Sequence, residues 1–316
     1  MSWKVLLVTN QYPTAEHPGD APCIQDQVEA LRDLGAEVDV VVIDRFRSPW
    51  SYLTCALHML WRNLRWGGHD VVHAFYGYAG LAALFQRRAP VVLTYRGSDL
   101  LGGVDGRIGR AVAPRVAGVV TMTEEMKERS GRPDARVIPF GIDLDRVRSV
   151  PTEEARRRLG LDATAPLVLF PYDRRRQVKR FDLIEEVVER LRDEFPTLRI
   201  LEVFDRPQEE LALHMSACDL FLIASDYEGS PLAVREAMAV NLPVVSVSVG
   251  DVPDLLEGVQ NSAVVASQDV EALAEASRPI LRHRARSAGR ERIAEFDATW
   301  SAREVLSLYE EVTGRV

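Results

Sequence analysis

Short apolar runs that each end in a polar loop restrict the folds open to this chain more than any other feature. Lys4 to Thr9 is apolar almost without alternation, the pattern of a strand buried on both faces of a parallel sheet. Similar runs recur at Val38–Ile43, Asp70–Ala74, Pro90–Thr94, Gly118–Met122, Pro166–Phe170, Leu198–Phe204, Asp219–Ala224, Pro243–Val247 and Ala263–Val265. Helical segments separate them. The first has apolar residues at Ile24, Val28, Leu31 and Leu34 and stops at Gly35. This strand–loop–helix–strand order predicts α/β architecture with doubly wound, Rossmann-like sheets, whose ligands gather at the C-terminal strand ends. The first loop, QYPTAEHPGDAP, has no GxGxxG, so a dinucleotide fingerprint is absent.

At 316 residues the chain holds two such domains. The polar stretch from Asp143 to Ala165, with a short helix at Glu153–Leu159, reads as the linker, giving domains at 1–148 and 149–297 and a last segment at 298–316. The net charge of −8 argues against nucleic-acid binding, and the acid excess lies in the second half. Three scattered cysteines, Cys23, Cys55 and Cys218, fit reduced thiols, and the histidines lack metal-ligand spacing. With no signal-type N-terminus and no membrane-spanning apolar run, the expectation is a cytoplasmic protein without a metal or other cofactor.

The stretch from Tyr227 to Val245, YEGSPLAVREAMAVNLPVV, is the most informative for chemistry. Ser230 reads as an N-cap with Pro231 at the first helical position. Asn241 suits the left-handed residue that ends a helix, and Pro243 bars continuation. Glu228 then lies at the mouth of a strand and Glu236 about two turns into the helix, roughly 10 Å apart at ~1.5 Å per residue. The N–H groups of Leu232 and Ala233 point into the same crevice, where an anion binds well. Two hydroxyl acceptors flanking a phosphate site suit a nucleotide-sugar. Taken alone, two glutamates at this spacing also fit a solvated helix face.

The whole stretch resembles the donor-site signature of the retaining GT-B glycosyltransferases of family 4, E-G-x-x-x-x-x-x-E-A-M-A-x-G-x-P-V-V. It stands here as Glu228-Gly229, Glu236-Ala237-Met238-Ala239 and Pro243-Val244-Val245, with Asn241 in place of the glycine. TYRGSD is similar to the family's T-x-H-G-x-D, with Arg96 for the histidine and Asp99 matching. VIPFGID resembles V-I-P-N-G-V-D, with Phe140 for the asparagine, and VGDVP resembles V-G-G-x-P, with Asp251 for the second glycine. After Phe170, the loop PYDRRRQVKRFDL is similar to G-R-x-x-x-x-K-G. Lys179 falls on the lysine and Arg174 is the nearest arginine.

The resemblance implies two Rossmann-like domains facing an interdomain cleft, with the last helix crossing back to the first domain. It implies a metal-independent retaining transferase that moves a sugar from a nucleotide-sugar to a saccharide, lipid-linked or small-molecule acceptor. Glu236, Gly229, Ser230, Leu232 and Ala233 are then donor-binding residues, with Glu236 on the ribose. Glu228 holds donor hydroxyls, and Lys179 and Arg174 take the diphosphate charge that develops as the glycosidic bond breaks. Gly19, Arg96 and Asp99 fall on the acceptor side, Arg96 supplying charge for an acidic sugar or phosphate. The plain alternative for Asp99 is capping of the next segment, and His73 reads as structural. A nucleotide-sugar-binding protein with little catalysis, and an epimerase or hydrolase on the same plan, are the competing classes.

Residues 45–66, RFRSPWSYLTCALHMLWRNLRW, stand apart, with three tryptophans, four arginines and no acid. Leu53, Leu57, Leu60 and Leu64 have core spacing and read as a buried helix face. Trp50, Tyr52, Trp61 and Trp66 with the flanking arginines fit either snorkelling around that helix or peripheral contact with a membrane.

Overall fold

In the structure, a computed structural model describing residues 2–44, 50–62 and 68–315, the chain divides into two compact units. The first comprises residues up to 13, 20–141 and the C-terminal segment from Ala298. Its six parallel strands are β1 (Lys4–Thr9), β2 (Glu37–Val42), β3 (Val71–Phe75), β4 (Val91–Thr94), β5 (Gly118–Thr121) and β6 (Arg136–Val137), in the order β2-β1-β3-β4-β5-β6. The second comprises Thr14–Gly19 and Ile142–Asp297. Its five parallel strands are β7 (Leu167–Phe170), β8 (Arg199–Glu202), β9 (Leu220–Ile223), β10 (Val244–Val247) and β11 (Ala263–Val265), in the order β11-β10-β9-β7-β8.

Both orders reverse direction next to the unit's first strand, between β1 and β3 and between β7 and β9. A doubly wound sheet opens a crevice at such a switch point, beyond the strand ends. In the second unit this places the loop after β7, which carries Lys179, beside the loop after β9, which carries Glu228. Strands β3, β4, β5, β7, β9 and β10 are buried throughout, as their continuous apolar character requires.

The boundary falls at Ile142, before residue 148, because Ile142 and Val147 are fully buried in the second unit's core. Arg290 holds this entry segment through the carbonyls of Leu144 and Val147. The helix that follows, Thr152–Leu159, is anchored by Arg156, whose buried guanidinium donates to Asp219 at 2.7 Å.

The C-terminal helix Ala298–Thr313 packs in the first unit against the helix Pro22–Asp33. Its Tyr309 hydroxyl lies 2.6 Å from Nδ1 of fully buried His73, whose Nε2 meets Thr94 at 2.7 Å. Burial holds the His73 pKa down to about 3, so it stays a neutral linker between sheet and helix.

One expectation is overturned. In the helix Trp50–Arg62, Leu53, Leu57 and Leu60 are 47%, 54% and 50% exposed, while Cys55, Ala56 and Met59 face inward. Small residues let the helix lie close to the unit on that side, which leaves the leucine stripe outside. Arg45, Arg47, Leu64, Arg65 and Trp66 lie outside the described residues, as does the side chain of Arg62.

Candidate active site

The loop after β7 leaves the sheet through Tyr172, makes one 3-10 turn over Gln177–Lys179, and enters the helix Phe181–Leu191 at Arg180. Arg180 has a left-handed backbone (φ 51°), and Asp182, Asp226 and Gln268 hold its side chain. This tight turn buries Lys179, whose ammonium donates to Glu228 and lies 4.0 Å from the centre of the Tyr172 ring. The side chains of Lys179 and Glu228 are 6% and 11% exposed. Burial pushes the Lys179 pKa below the ordinary lysine range, and the Glu228 charge opposes that shift. A buried ammonium against a carboxylate and an aromatic face is poised to take further negative charge.

Tyr172 was not singled out by the sequence. Its ring packs among Phe170 and Phe221, yet its hydroxyl is buried with no hydrogen-bond partner. Burial raises its pKa well above the usual phenol range, and the charges of Glu228 and Glu236 add to the shift. Glu236 is 3% exposed and accepts from Gln208 Nε2 at 3.0 Å. Tyr172 therefore lies within electrostatic range of both glutamates.

The three arginines of this loop have different partners. Arg174 stacks on Phe181, 4.5 Å from the ring centre, and pairs with Glu185 at 3.7 Å and Glu202 at 3.5 Å. Arg175 is tied to Asp173. The charge of exposed Arg176 reaches both Lys179 and Tyr172, adding slightly to the burial-driven lowering at Lys179 and partly opposing the burial-driven rise at Tyr172. A surface depression of about 630 Å³ lies beside Arg174, Gln177 and Arg180, but its charges are already paired and neither Lys179 nor Glu228 lines it.

Ser230 is not the cap of the following helix. That helix runs Leu232–Ala239 with Pro231 at the N-cap, which has no side-chain hydroxyl to offer, so Glu236 sits about one turn in. Ser230 instead donates to Asp251 Oδ2 at 2.7 Å and accepts from Arg235 Nε at 3.0 Å. Arg235 Nη2 reaches the same carboxylate at 2.6 Å, with its side chain 2% exposed. This buried clamp fixes the loop after β10 against the EG turn. Gly250 has φ +53°, and a Cβ there would stand 2.1 Å from the Gly229 carbonyl oxygen, so only glycine fits. Val234 N–H returns to the Pro231 carbonyl, and the amides of Leu232 and Ala233 are the first donors at the helix start. Asn241 ends the segment at φ 58°, as its sequence position predicts.

Of the residues expected on the acceptor side, Arg96 is half-buried in the first unit. Its Nη1 donates to Gln11, its Cζ lies 5.9 Å from the Phe140 ring centre, and its buried Nε has no partner. Two of the departures from the family pattern, Arg96 and Phe140, thus face each other. Asp99 is fully buried and presents no carboxylate to an acceptor. It accepts from the amides of Arg96 at 2.9 Å, Gly97 at 3.0 Å and Gly77 at 3.1 Å, and burial raises its pKa to about 6. It builds the loop that carries Arg96. Gly19 counts with the second unit, where its N–H donates to Asp205 at 3.0 Å and a Cβ would stand 2.9 Å from the Asp205 Cα.

Two family models match the chain: Glycosyltransferase Family 4 over residues 3–146 and Glycosyl transferases group 1 over residues 175–283. The chain belongs to the group 1 glycosyltransferases. It is 26% identical to a putative teichuronic acid biosynthesis glycosyltransferase, TuaC, of Bacillus subtilis, over 86% of this chain and 88% of that one. In fold, it is similar to the sucrose-phosphate synthase of Thermosynechococcus elongatus, with a TM-score of 0.77 at 18% identity over 99% of this chain and all of that one. It is likewise similar to Anabaena HepE in complex with UDP-glucose, with a TM-score of 0.68 at 18% identity over 96% and 99% of the two chains. The two parallel sheets of this glycosyltransferase are those of the GT-B fold. Tyr172, Gln208 and the Arg235–Asp251 pair are the residues around Glu228 and Glu236 that the sequence did not single out.

Proposed function

We propose that this glycosyltransferase is a cytoplasmic, metal-independent, retaining enzyme that transfers a sugar from a nucleotide donor to a glycan, lipid-linked or small-molecule acceptor. The observation that carries the reading is the buried Lys179–Glu228 pair at the switch point of the second sheet, with the Glu236 charge also acting on Tyr172. Glu236 accepts the ribose hydroxyls, and Glu228 accepts hydroxyls of the transferred sugar. Lys179, Arg176 and the amides of Leu232 and Ala233 take the diphosphate charge, a role a metal ion otherwise fills. The Tyr172 hydroxyl donates its free hydrogen bond to the bound donor. UDP-sugars are the first donors to test, since HepE is described with UDP-glucose. An acidic polysaccharide acceptor follows from the TuaC relationship and from the half-buried charge of Arg96. Three buried cysteines, widely separated in the sequence, support a reducing compartment.

Incubating the protein with UDP-, GDP-, ADP- and dTDP-sugars, with and without polysaccharide and lipid fractions, tests this by nucleotide release. Release from one donor, undiminished by EDTA, with the α or β configuration preserved in the product, is the expected result. Tight binding of a donor with release from none of them would instead make it a nucleotide-sugar-binding protein.

Two variants probe the donor site. Glu236→Ala is expected to weaken donor affinity about 10- to 100-fold by calorimetry, the value of a charged hydrogen-bond acceptor, with kcat much less affected. Tyr172→Phe removes a hydroxyl that has no partner in the protein. It should leave the melting temperature unchanged or raised, while weakening donor binding about tenfold. An unchanged donor affinity in Tyr172→Phe would remove this residue from the site.

A further inference from the structure

The helix Trp50–Arg62 carries a surface that glycosyl transfer does not account for. Trp50, Leu53, Leu57, Leu60 and Trp61 recur at helical spacing and are 71%, 47%, 54%, 50% and 50% exposed, a concentration of large apolar side chains unusual for a free surface. They form one stripe along a helix roughly 20 Å long, with a tryptophan near each end. The inward side, Cys55, Ala56 and Met59, is already packed. The adjacent helix Gly77–Ala83 exposes Leu81, and Phe85 just beyond it is 45% exposed and followed by Arg87 and Arg88.

We propose that this helix is a docking surface for an anionic lipid bilayer, lying in the plane of the interface. Charge selects this occupant. The sequence from 45 to 66 holds Arg45, Arg47, Arg62 and Arg65 and no acid, within a protein whose net charge is −8. Arginines before and after the stripe in the sequence, with a tryptophan near each end of the helix, match in composition the apolar-to-headgroup boundary of a membrane surface. The helix is too short to span a bilayer, and among the described residues no helix is long and apolar enough to do so. A second copy of the chain would present the same acid-free, basic sequence, whereas an anionic lipid surface offers the opposite charge. The inference does not rest on the donor site.

The test is co-sedimentation of the full chain with phosphatidylcholine vesicles, with and without phosphatidylglycerol. The protein is expected to bind the anionic vesicles, and binding is expected to weaken as salt rises. Leu57→Ser/Leu60→Ser changes exposed residues only, so thermal melting should be retained while vesicle affinity falls at least about tenfold. Arg62→Ser/Arg65→Ser should lower affinity for anionic vesicles about tenfold and leave binding to neutral ones unchanged. Absence of wild-type binding to anionic vesicles at low salt would overturn the proposal, as would variants that bind like the wild type. So would self-association of the wild-type chain that the leucine double variant abolishes while vesicle binding persists. Donor-dependent nucleotide release, measured without vesicles, is a separate readout, so failure here leaves the donor-site reading to its own tests.

Discussion

Lys179→Ala is expected to lower kcat about 10³-fold and to weaken donor binding as well. In glycosyl transfer from a nucleotide-sugar, the leaving diphosphate gains charge as the anomeric bond breaks, so a fixed cation stabilises the transition state more than the ground state. Removing one such preorganised group typically costs 10²–10³. Lys179 is more committed than most, being 6% exposed, braced on the Tyr172 ring and paired with Glu228. Its loss also strands the Glu228 carboxylate, which is only 11% exposed. Arginine should rescue poorly, because its planar fork does not replace a compact ammonium in this niche. The double variant Lys179→Met/Glu228→Gln separates the two effects. It should regain the thermal stability lost by the single change, since no buried charge is left unpaired, and remain inactive. Initial rates at saturating donor, alongside melting curves, provide the check; wild-type turnover in Lys179→Ala would remove the residue from the chemistry.

Arg235→Leu should be the most destabilising single change near the site, at about 3–5 kcal/mol, because it leaves the Asp251 carboxylate buried without its cation. Burial already raises the Asp251 pKa above its ordinary value, with Arg235 and Ser230 pulling it back. Without Arg235 the folded-state pKa rises further. A carboxyl with a raised folded pKa destabilises most at pH above that pKa, where the folded protein must hold the charge. The penalty shrinks as pH falls towards the unfolded carboxylate range, where both states are protonated. Urea titrations of both proteins across acidic pH should therefore show the variant's deficit narrowing on acidification. A deficit independent of pH would mean that lost packing, not the stranded charge, is responsible. Arg235→Leu/Asp251→Leu should recover part of the loss at neutral pH.

How far the sequence reveals this molecule differs from residue to residue. The continuous apolar runs reveal the parallel strands because a strand covered on both faces has no polar side to alternate with. The left-handed Asn241 is legible because that backbone conformation admits few residue types. The direction of Arg174 was not legible, because proximity in sequence says nothing about which way a loop side chain turns: Phe181, Glu185 and Glu202 draw it to their side. Ser230 looks like an N-cap until Asp251, twenty-one residues away, takes its hydroxyl. Such partners join only when loops from different strands meet. Leu53, Leu57 and Leu60 have core periodicity, but periodicity marks an apolar face without saying what covers it.

The discontinuity of the first unit bears on how the chain is made. Its sheet is complete once residues 136–137 are synthesised, yet Tyr309, which closes on buried His73, and Leu308, which lies against Gly118, belong to the last helix. On the ribosome, the second unit emerges whole before that helix exists. The unit whose strands are translated first is therefore the last to finish folding, and a stop codon after Asp297 would spare the second unit while leaving the first unit open along one flank.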